Sequence, residues 1–479
     1  MIFHDLRGFI AEAGKRNDVK VVEGADWNLE IGLITEWQIL QPNNPLLLFK
    51  NIKGYPPEYS VATNLFGTPA RTALALGLSP EMKKLDIVRA LRDIFGKGFT
   101  PIPPVEVENA PVKENILMGD QVDLFKFPVP KWHARDGGRY IGTGNAVITR
   151  DPDEGWINLG NYRVQAHDKS IATIYMSPGR HGKNMRNKYW ERGKNCPAAV
   201  AIGMEPILYG SSHSDVPKGI SEYDYTGGFR KRAVEVTRGV TTDLLIPATA
   251  EIVLEGEIIE SQTIPEGPFG EWTGYYGSGT RREPIFKVNA ILHRNNPILQ
   301  GNPPLRSPYY ALAHHLRRAA SAWIELDKQI SGIKGVWLLE DAAYNMIVVV
   351  SLEQRYPGHA MQAAMGVAFV HATNYMSRFI IVVDDDIDPS NMQDVFWAVA
   401  TRCEPATDID IIREMRGTPL DPVLPPEKRE KEDYTHSTAI INACRPYAWK
   451  DKFPPTVMST PEELESVKKK WGKLFGEGS

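Results

Sequence analysis

The sequence predicts a mixed α/β protein in three successive parts, and three observations carry that expectation. Helical spacing and short apolar runs alternate over roughly the first hundred residues. From about residue 140 to 305 the texture changes to short β-type runs broken by Gly, Asn, Asp and Pro. Beyond that, continuous apolar runs of the buried parallel-strand kind alternate with helical stretches.

In order along the chain, Asp5 to Lys15 has helical spacing, and Asn44 to Asn51 is an apolar run between turn formers, hence a strand. Pro80-Glu81 opens a second helix carrying Met82, Leu85, Val88, Leu91 and Ile94. The Pro-rich stretch Phe99 to Val105 then marks a boundary, and a second Pro-marked segment runs from Phe125 to His133. Strand-like runs follow at 144–150, 172–176, 199–203, 250–259 and 285–292, a series that suggests a β-barrel or sandwich. Residues 348–352 and 379–384 read as buried parallel strands, with helices at 314–322, 359–372 and 395–400 around them. The stretch from Pro422 to Asp433 reads as an exposed arm. Ser459-Thr460-Pro461-Glu462-Glu463 then starts a terminal helix reaching Phe475. The expected division is 1–110, 111–305 and 306–479.

A chain of 479 residues with 42 % hydrophobic and 24 % charged residues is long enough for two or three substantial cores. A net charge of −4 with both signs interspersed points away from nucleic acid and anionic membrane surfaces. No apolar run has membrane-spanning length, and the first residues lack the features of a signal peptide. Cys196, Cys403 and Cys444 are far apart and in no metal-ligand spacing, so the expected setting is cytoplasmic, with reduced thiols.

The stretch from Ile264 to Tyr276 holds two carboxylates, Glu266 and Glu271, separated by Gly-Pro and Gly. Those residues predict a turn or tight loop able to bring both acids to one place. Paired carboxylates in unlike surroundings suit general acid/base work, since one can hold a proton while the other stays ionised. A solvated surface turn is the plain alternative, and the aromatic padding by Phe269, Trp272, Tyr275 and Tyr276 argues for a pocket. Three further segments carry chemistry: Trp156 to Arg163, the Arg180-His181 turn, and Tyr209 to His213, a small-residue turn of the type that cradles phosphate. Asn158, His181 and Glu222 are donors that suit Mn²⁺ or Mg²⁺ better than Zn²⁺, although spacing alone does not join them.

The segments NLGNYR at 158–163, PGRHG at 178–182, SEYDYTGG at 221–228, EGPFGEWTGYYG at 266–277, RYPGHA at 355–360 and VVDDDIDPSN at 382–391 occur in one order along the whole chain. With them the sequence resembles the UbiD family of decarboxylases that use prenylated FMN (prFMN). The resemblance implies an N-terminal α/β domain, a central split β-barrel that binds the flavin, and a C-terminal α/β dimerisation domain with a terminal helix.

It also implies roles. Asn158, His181 and Glu222 would hold a divalent cation, Mn²⁺ or Mg²⁺, against the cofactor phosphate, with K⁺ nearby on carbonyl oxygens. Residues 158–163 (Asn158, Leu159, Gly160, Asn161, Tyr162 and Arg163), with Arg180, Ser211 and Ser212, would line the cofactor. Many family members carry Lys immediately before RYPGHA; here Gln354 stands there, so Gln354 or Arg355 would meet the phosphate, or the metal alone would neutralise it. Arg163, Glu266 and Glu271 match the family's catalytic trio, with Arg163 steering the substrate carboxylate and Glu271 delivering the proton that replaces CO₂. The expected reaction is reversible, non-oxidative decarboxylation of an aromatic, heteroaromatic or α,β-unsaturated acid through a covalent adduct with prFMN. A flavin prenyltransferase would supply the cofactor, and a homodimer or larger homo-oligomer is expected. Arg306, Tyr309, His314 and His315 are the candidate substrate pocket, against the alternative of an ordinary helix with exposed basic residues. A metal-dependent hydrolase and a subunit of a multi-component carboxylase are the competing classes.

Overall fold

The computed structural model describes residues 2–41, 43–214, 216–277, 279–306, 312–339, 346–457 and 459–475. Its order of elements is α/β, then β-rich, then α/β, as the sequence patterns predict. The first helix, Leu6–Lys15, starts where Asp5 caps it by accepting from Gly8 N–H, and it buries Leu6, Phe9, Ile10 and Ala13. A four-stranded sheet follows in the order Val19–Glu23, Leu46–Lys50, Ser60–Thr63, Ile298–Gly301. The last strand comes from the far end of the β-rich region and pairs parallel to Ser60–Thr63, tying the two regions together. Strand Leu46–Lys50 is apolar as far as Phe49 because it is covered on both faces there: Leu46 and Leu48 enter one core, Leu47 and Phe49 the other.

The central sheet, nine-stranded among the described residues, runs Arg139–Gly142, Val164–Ala166, Ile171–Ile174, Arg281–His293, Ile252–Glu266, Cys196–Ile202, Asn145–Arg150, Ile157–Gly160, with Asn115–Met118 alongside Arg281–His293. It is a curled half-barrel, the split-barrel architecture expected. Its spine is the long antiparallel pair Ile252–Glu266 and Arg281–His293, bent where the register slips between Glu255 and Gly256 and again between Ile259 and Thr263. Gly256 is required at the first slip, since a Cβ there would lie 1.9 Å from Lys287 O.

The C-terminal sheet is five-stranded among the described residues, in the order Ile333–Leu338, Ile347–Leu352, Phe379–Asp384, His436–Ala443, Ile409–Met415. Ile347–Leu352 and Phe379–Asp384 pair parallel, as their continuous apolar runs imply. Helix Lys84–Gly96, early in the chain, buries Leu85, Val88 and Leu91 in this C-terminal core beside Trp323 and Trp337. Helix Leu312–Asp327 spans the predicted 314–322 and packs on it. The expected arm 422–433 is exposed over much of its length but is not free. It contains helix Pro426–Glu430, and Arg429 donates to the carbonyls of Gly277, Pro419 and Asp421. The terminal helix Pro461–Trp471 begins with a full capping box between Thr460 and Glu463. Among the described residues no helix is long and apolar enough to cross a membrane.

Candidate active site

Glu266 does not lie in a loop, as its Gly-Pro neighbours suggest; it is the last residue of the strand Ile252–Glu266, opposite Arg281. The pairing with Arg281–His293 carries the strand through Pro265 as far as Glu266. Gly267, at φ +82°, then turns the chain away. Gly137 packs so closely on this turn that a Cβ would lie 1.9 Å from Gly267 O. Glu271 follows in the predicted tight turn, where its N–H donates to Tyr275 O and Gly274 N–H donates back to Glu271 O, each at 2.9 Å.

Arg163 joins the two acids. It lies between strands Ile157–Gly160 and Val164–Ala166. Its Nε and Nη2 donate to the two oxygens of Glu266, both at 2.8 Å, and Nη1 donates to Glu271 Oε1 at 2.7 Å. The guanidinium lies over the rings of Tyr175 and Phe269, 4.6 and 5.3 Å from their centroids. Glu266 is fully buried, and 8 % of Glu271 is exposed. Burial works against the charge on Arg163, but Glu271 and Glu266 outweigh it and hold the guanidinium above its ordinary range. One guanidinium thus faces two carboxylates in an apolar surround.

Two residues outside the sequence motifs fix Glu266. Tyr140 OH donates to Glu266 Oε1 at 3.2 Å and lies 3.3 Å from Gln165 Oε1, which itself accepts from Gly267 N–H at 2.9 Å. Burial, then the charge on Glu266, pushes the Tyr140 phenol above its usual range, so it stays a donor. Tyr140→Phe is expected to lower turnover about 10- to 100-fold, one hydrogen bond to a charged group being worth about 1.5–3 kcal/mol. Flavin content should not change; a variant with unaltered turnover would remove Tyr140 from the site.

Of the candidate metal ligands, Asn158 and Glu222 touch. Glu222 accepts from Asn158 Nδ2 at 2.9 Å and from Leu159 N–H at 2.6 Å. His181 is the first residue of helix His181–Trp190, which makes the expected Arg-His turn a helix start, and its ring meets Trp156 edge-on at 5.3 Å. That helix and Glu222–Arg230 both pack on the strand bearing Asn158. Among the described residues no three His, Cys, Asp or Glu side chains converge, so a cation here would need the amide. The fit is good on two counts. Asn158 Oδ1 is buried without a hydrogen-bond partner among the described residues, and burial pushes the Glu222 carboxyl up to about 8, a cost that a bound cation would relieve.

Ser211 ends helix Pro206–Ser211, so the expected phosphate-type turn is helical in its first half. Ser211 Oγ donates to Ile207 O and accepts from Thr226 Oγ1, while Ser212 Oγ donates to Tyr209 O. Ser212 O accepts from Asn161 N–H at 3.1 Å, which joins this turn to the strand end before Arg163. Tyr162 is buried against Gly160 and Gly182.

Gln354 and Arg355 are not brought to this cluster. Gln354 Nε2 donates to Asp384 Oδ1 and Arg445 O, at the carboxyl ends of the C-terminal parallel strands. The loop 274–277 instead touches segments 306 and 420. The opposite, amino ends of those strands lie on that side, since Arg378, beside the start of Phe379–Asp384, pairs with Asp421. A six-residue strand separates the two ends by about 17–20 Å. Arg306 packs its backbone on Gly274. His315 is buried, and burial and Arg318 push it down to about 3, so it is neutral. Burial and the cations around it also hold His314 neutral. Tyr309 lies outside the described residues.

Three family models match consecutive parts of the chain. The N-terminal, Rift-related and C-terminal domains of 3-octaprenyl-4-hydroxybenzoate carboxy-lyase match residues 10–91, 104–307 and 313–443. This chain belongs to the UbiD family. Uncharacterized protein sll0936 of Synechocystis sp. is 30 % identical over 443 residues, covering 87 % of this chain and 85 % of that protein. Among solved structures, the vanillic acid decarboxylase of Sedimentibacter hydroxybenzoicus in open form, with truncated ShVdcD, is similar at TM-score 0.87 and 28 % identity, over 99 % of this chain and 100 % of that one. The UbiD-class enzyme HmfF from Pelotomaculum thermopropionicum, in complex with FMN, gives TM-score 0.86 and 28 % identity over 96 % and 98 %. An evolved dimeric form of HmfF was solved with prFMN. UbiD-family members are carboxy-lyases, and this chain is an enzyme of that class. The hydrolase alternative is not favoured.

Proposed function

We propose that this UbiD-family enzyme is a reversible, non-oxidative decarboxylase of an aromatic, heteroaromatic or α,β-unsaturated acid, working with prFMN. The observation that carries the reading is the buried guanidinium of Arg163 shared between Glu266 and Glu271. Loss of CO₂ from an sp² carbon leaves an electron pair that no side chain can hold, and the flavin supplies the electron sink.

The chain's own residues do the rest. An incoming carboxylate competes with Glu271 for Arg163 Nη1, while the two-point grip on Glu266 keeps the guanidinium in place. The bond to the carboxylate carbon breaks, CO₂ leaves, and Glu271 gives its proton to the carbon that held it. Water then restores that proton. Run backwards, Glu271 takes the proton and CO₂ adds. Phe269 and Tyr140, packed on each other and against Arg163 and Glu266, limit water around the acids, which strengthens each charge interaction inside. Asn158, His181 and Glu222 would hold Mn²⁺ or Mg²⁺, with K⁺ on nearby carbonyls.

A homo-oligomer built through the C-terminal layer is supported by Met361, Met365 and Phe369, exposed at helical spacing on one helix, and by Phe396 and Trp397, exposed on another.

The test is an absorbance spectrum, native mass and metal analysis of protein purified without oxygen from cells co-expressing a flavin prenyltransferase. Expected are flavin-type absorbance, a bound mass matching prFMN, one divalent metal ion per chain and turnover of at least one acid from an aromatic and acrylic panel. Colourless protein that carries metal but no flavin would overturn the reading. The native mass also reads the partner question, because the vanillic acid decarboxylase was solved as a complex with ShVdcD.

A further inference from the structure

For the run His314-His315-Leu316-Arg317-Arg318 the sequence leaves two readings, part of a substrate pocket or an ordinary helix with exposed basic residues. For Arg317 the structure excludes the second: only 6 % of the residue is exposed. Leu316, Ala319 and Ala320 of the same helix are sealed in the C-terminal core, and Arg317 projects across the boundary to the central domain. Its Cζ lies 5.7 Å from the ring centroid of Tyr225 and 5.9 Å from that of Phe95. Its Nη1 lies close against Gly210, where a Cβ would stand 3.0 Å from it.

Among the described residues Arg317 Nη1 is buried without a hydrogen-bond partner, and Arg317 forms no ion pair. The charged groups close by are themselves cationic, since Arg317 and Arg180 both act on His213 as positive charges, and Arg318 stands beside His314. Glu222, on the helix that carries Tyr225, is engaged with Leu159 N–H and Asn158. A buried unpaired cation is destabilising, because its lost hydration is not replaced. Ring contacts at the outer limit of the cation–π range return only part of that cost. The missing term is an anion. Guanidinium favours carboxylate or phosphate oxygens, which match its planar fork.

The position says where such an anion would sit. Gly210 precedes Ser211, and Tyr225 precedes Thr226, whose hydroxyl donates to Ser211 Oγ at 2.8 Å. Glu222 lies one turn before Tyr225 on the same helix. Arg317 therefore approaches the Asn158/Glu222 end of the central domain from the C-terminal side. We propose that Arg317 binds an anionic oxygen group held between the two domains, either the phosphate of the flavin or a second acidic group on the substrate. The choice between them rests on the flavin-dependent function proposed above; the anion site itself does not.

The experiment compares the full chain with Arg317→Gln and Arg317→Lys. Melting of flavin-free protein is followed against inorganic phosphate and against FMN, and KM is then measured on the loaded enzyme for benzoic acids with and without a second acidic group. Flavin-free Arg317→Gln is expected to melt at or above the parent temperature, because an unpaired buried charge has been removed. If the anion is phosphate, affinity for phosphate and FMN falls at least tenfold in Arg317→Gln, with Arg317→Lys between. If it is a second acidic group, FMN affinity holds and KM rises at least tenfold for the doubly acidic substrates alone. A lower melting temperature in both variants, with phosphate, FMN and KM responses unchanged, would make Arg317 structural and overturn the proposal. A parent protein that never takes up flavin but is stabilised by phosphate through Arg317 would sink the proposed function and leave the anion site standing.

Discussion

Arg163→Met is expected to abolish turnover and to cost the flavin-free protein about 3–5 kcal/mol of stability, the usual penalty for removing one partner of a buried ion pair. Glu266, fully buried, would lose two hydrogen bonds of 2.8 Å and keep only Tyr140 OH and whatever proton it can capture. Urea denaturation reads the loss. The double variant Arg163→Met/Glu266→Gln should recover much of it, because no buried charge is left behind, yet remain inactive. Equal destabilisation in the single and double variants would mean that the guanidinium acts through packing on Tyr175 and Phe269 and that its charge is secondary.

Glu271→Gln is expected to keep the fold and the flavin and to lose turnover by about 10²–10⁴-fold, the usual range for a positioned acid. The amide oxygen can still accept from Arg163 Nη1, so geometry is preserved while the transferable proton is removed. The pairing of unchanged flavin content with lost product formation is the signature. Near-normal turnover with bound flavin would move the proton donor elsewhere, and loss of flavin would make Glu271 a cofactor-binding group.

These two carboxylates show why part of the site is legible in the amino-acid sequence. Gly-Pro and Gly between acids, with aromatic residues around them, mark a pocket within 13 residues of chain. Glu271 lies in the tight turn those residues predict. Glu266 does not, because the pairing with Arg281–His293 that makes it a strand end is not visible in its own neighbours. Asn158, His181 and Glu222 show the same limit. Spacing leaves them unconnected, the family resemblance groups them, and two helices packed on one strand bring their backbones together.

What the sequence determined by itself is what local chemistry dictates. The Asp5 cap, the Thr460–Glu463 capping box, the double-sided apolar strand Leu46–Lys50 and the parallel runs at 347–352 and 379–384 follow from side chains a few residues apart. The order of the motifs determined the family. The tertiary structure alone decided which polar groups are buried and what faces them. Arg163 meets its acids across 103 and 108 residues, and Tyr140 meets Glu266 across 126. Gln354, directly before a family motif, is held by Asp384 and Arg445 instead. Arg317, in a run open to two readings, is sealed between domains. Periodicity reports which face of an element is apolar; the partner of a charge, and hence its energy and its chemistry, is set by chain segments that sequence distance does not connect.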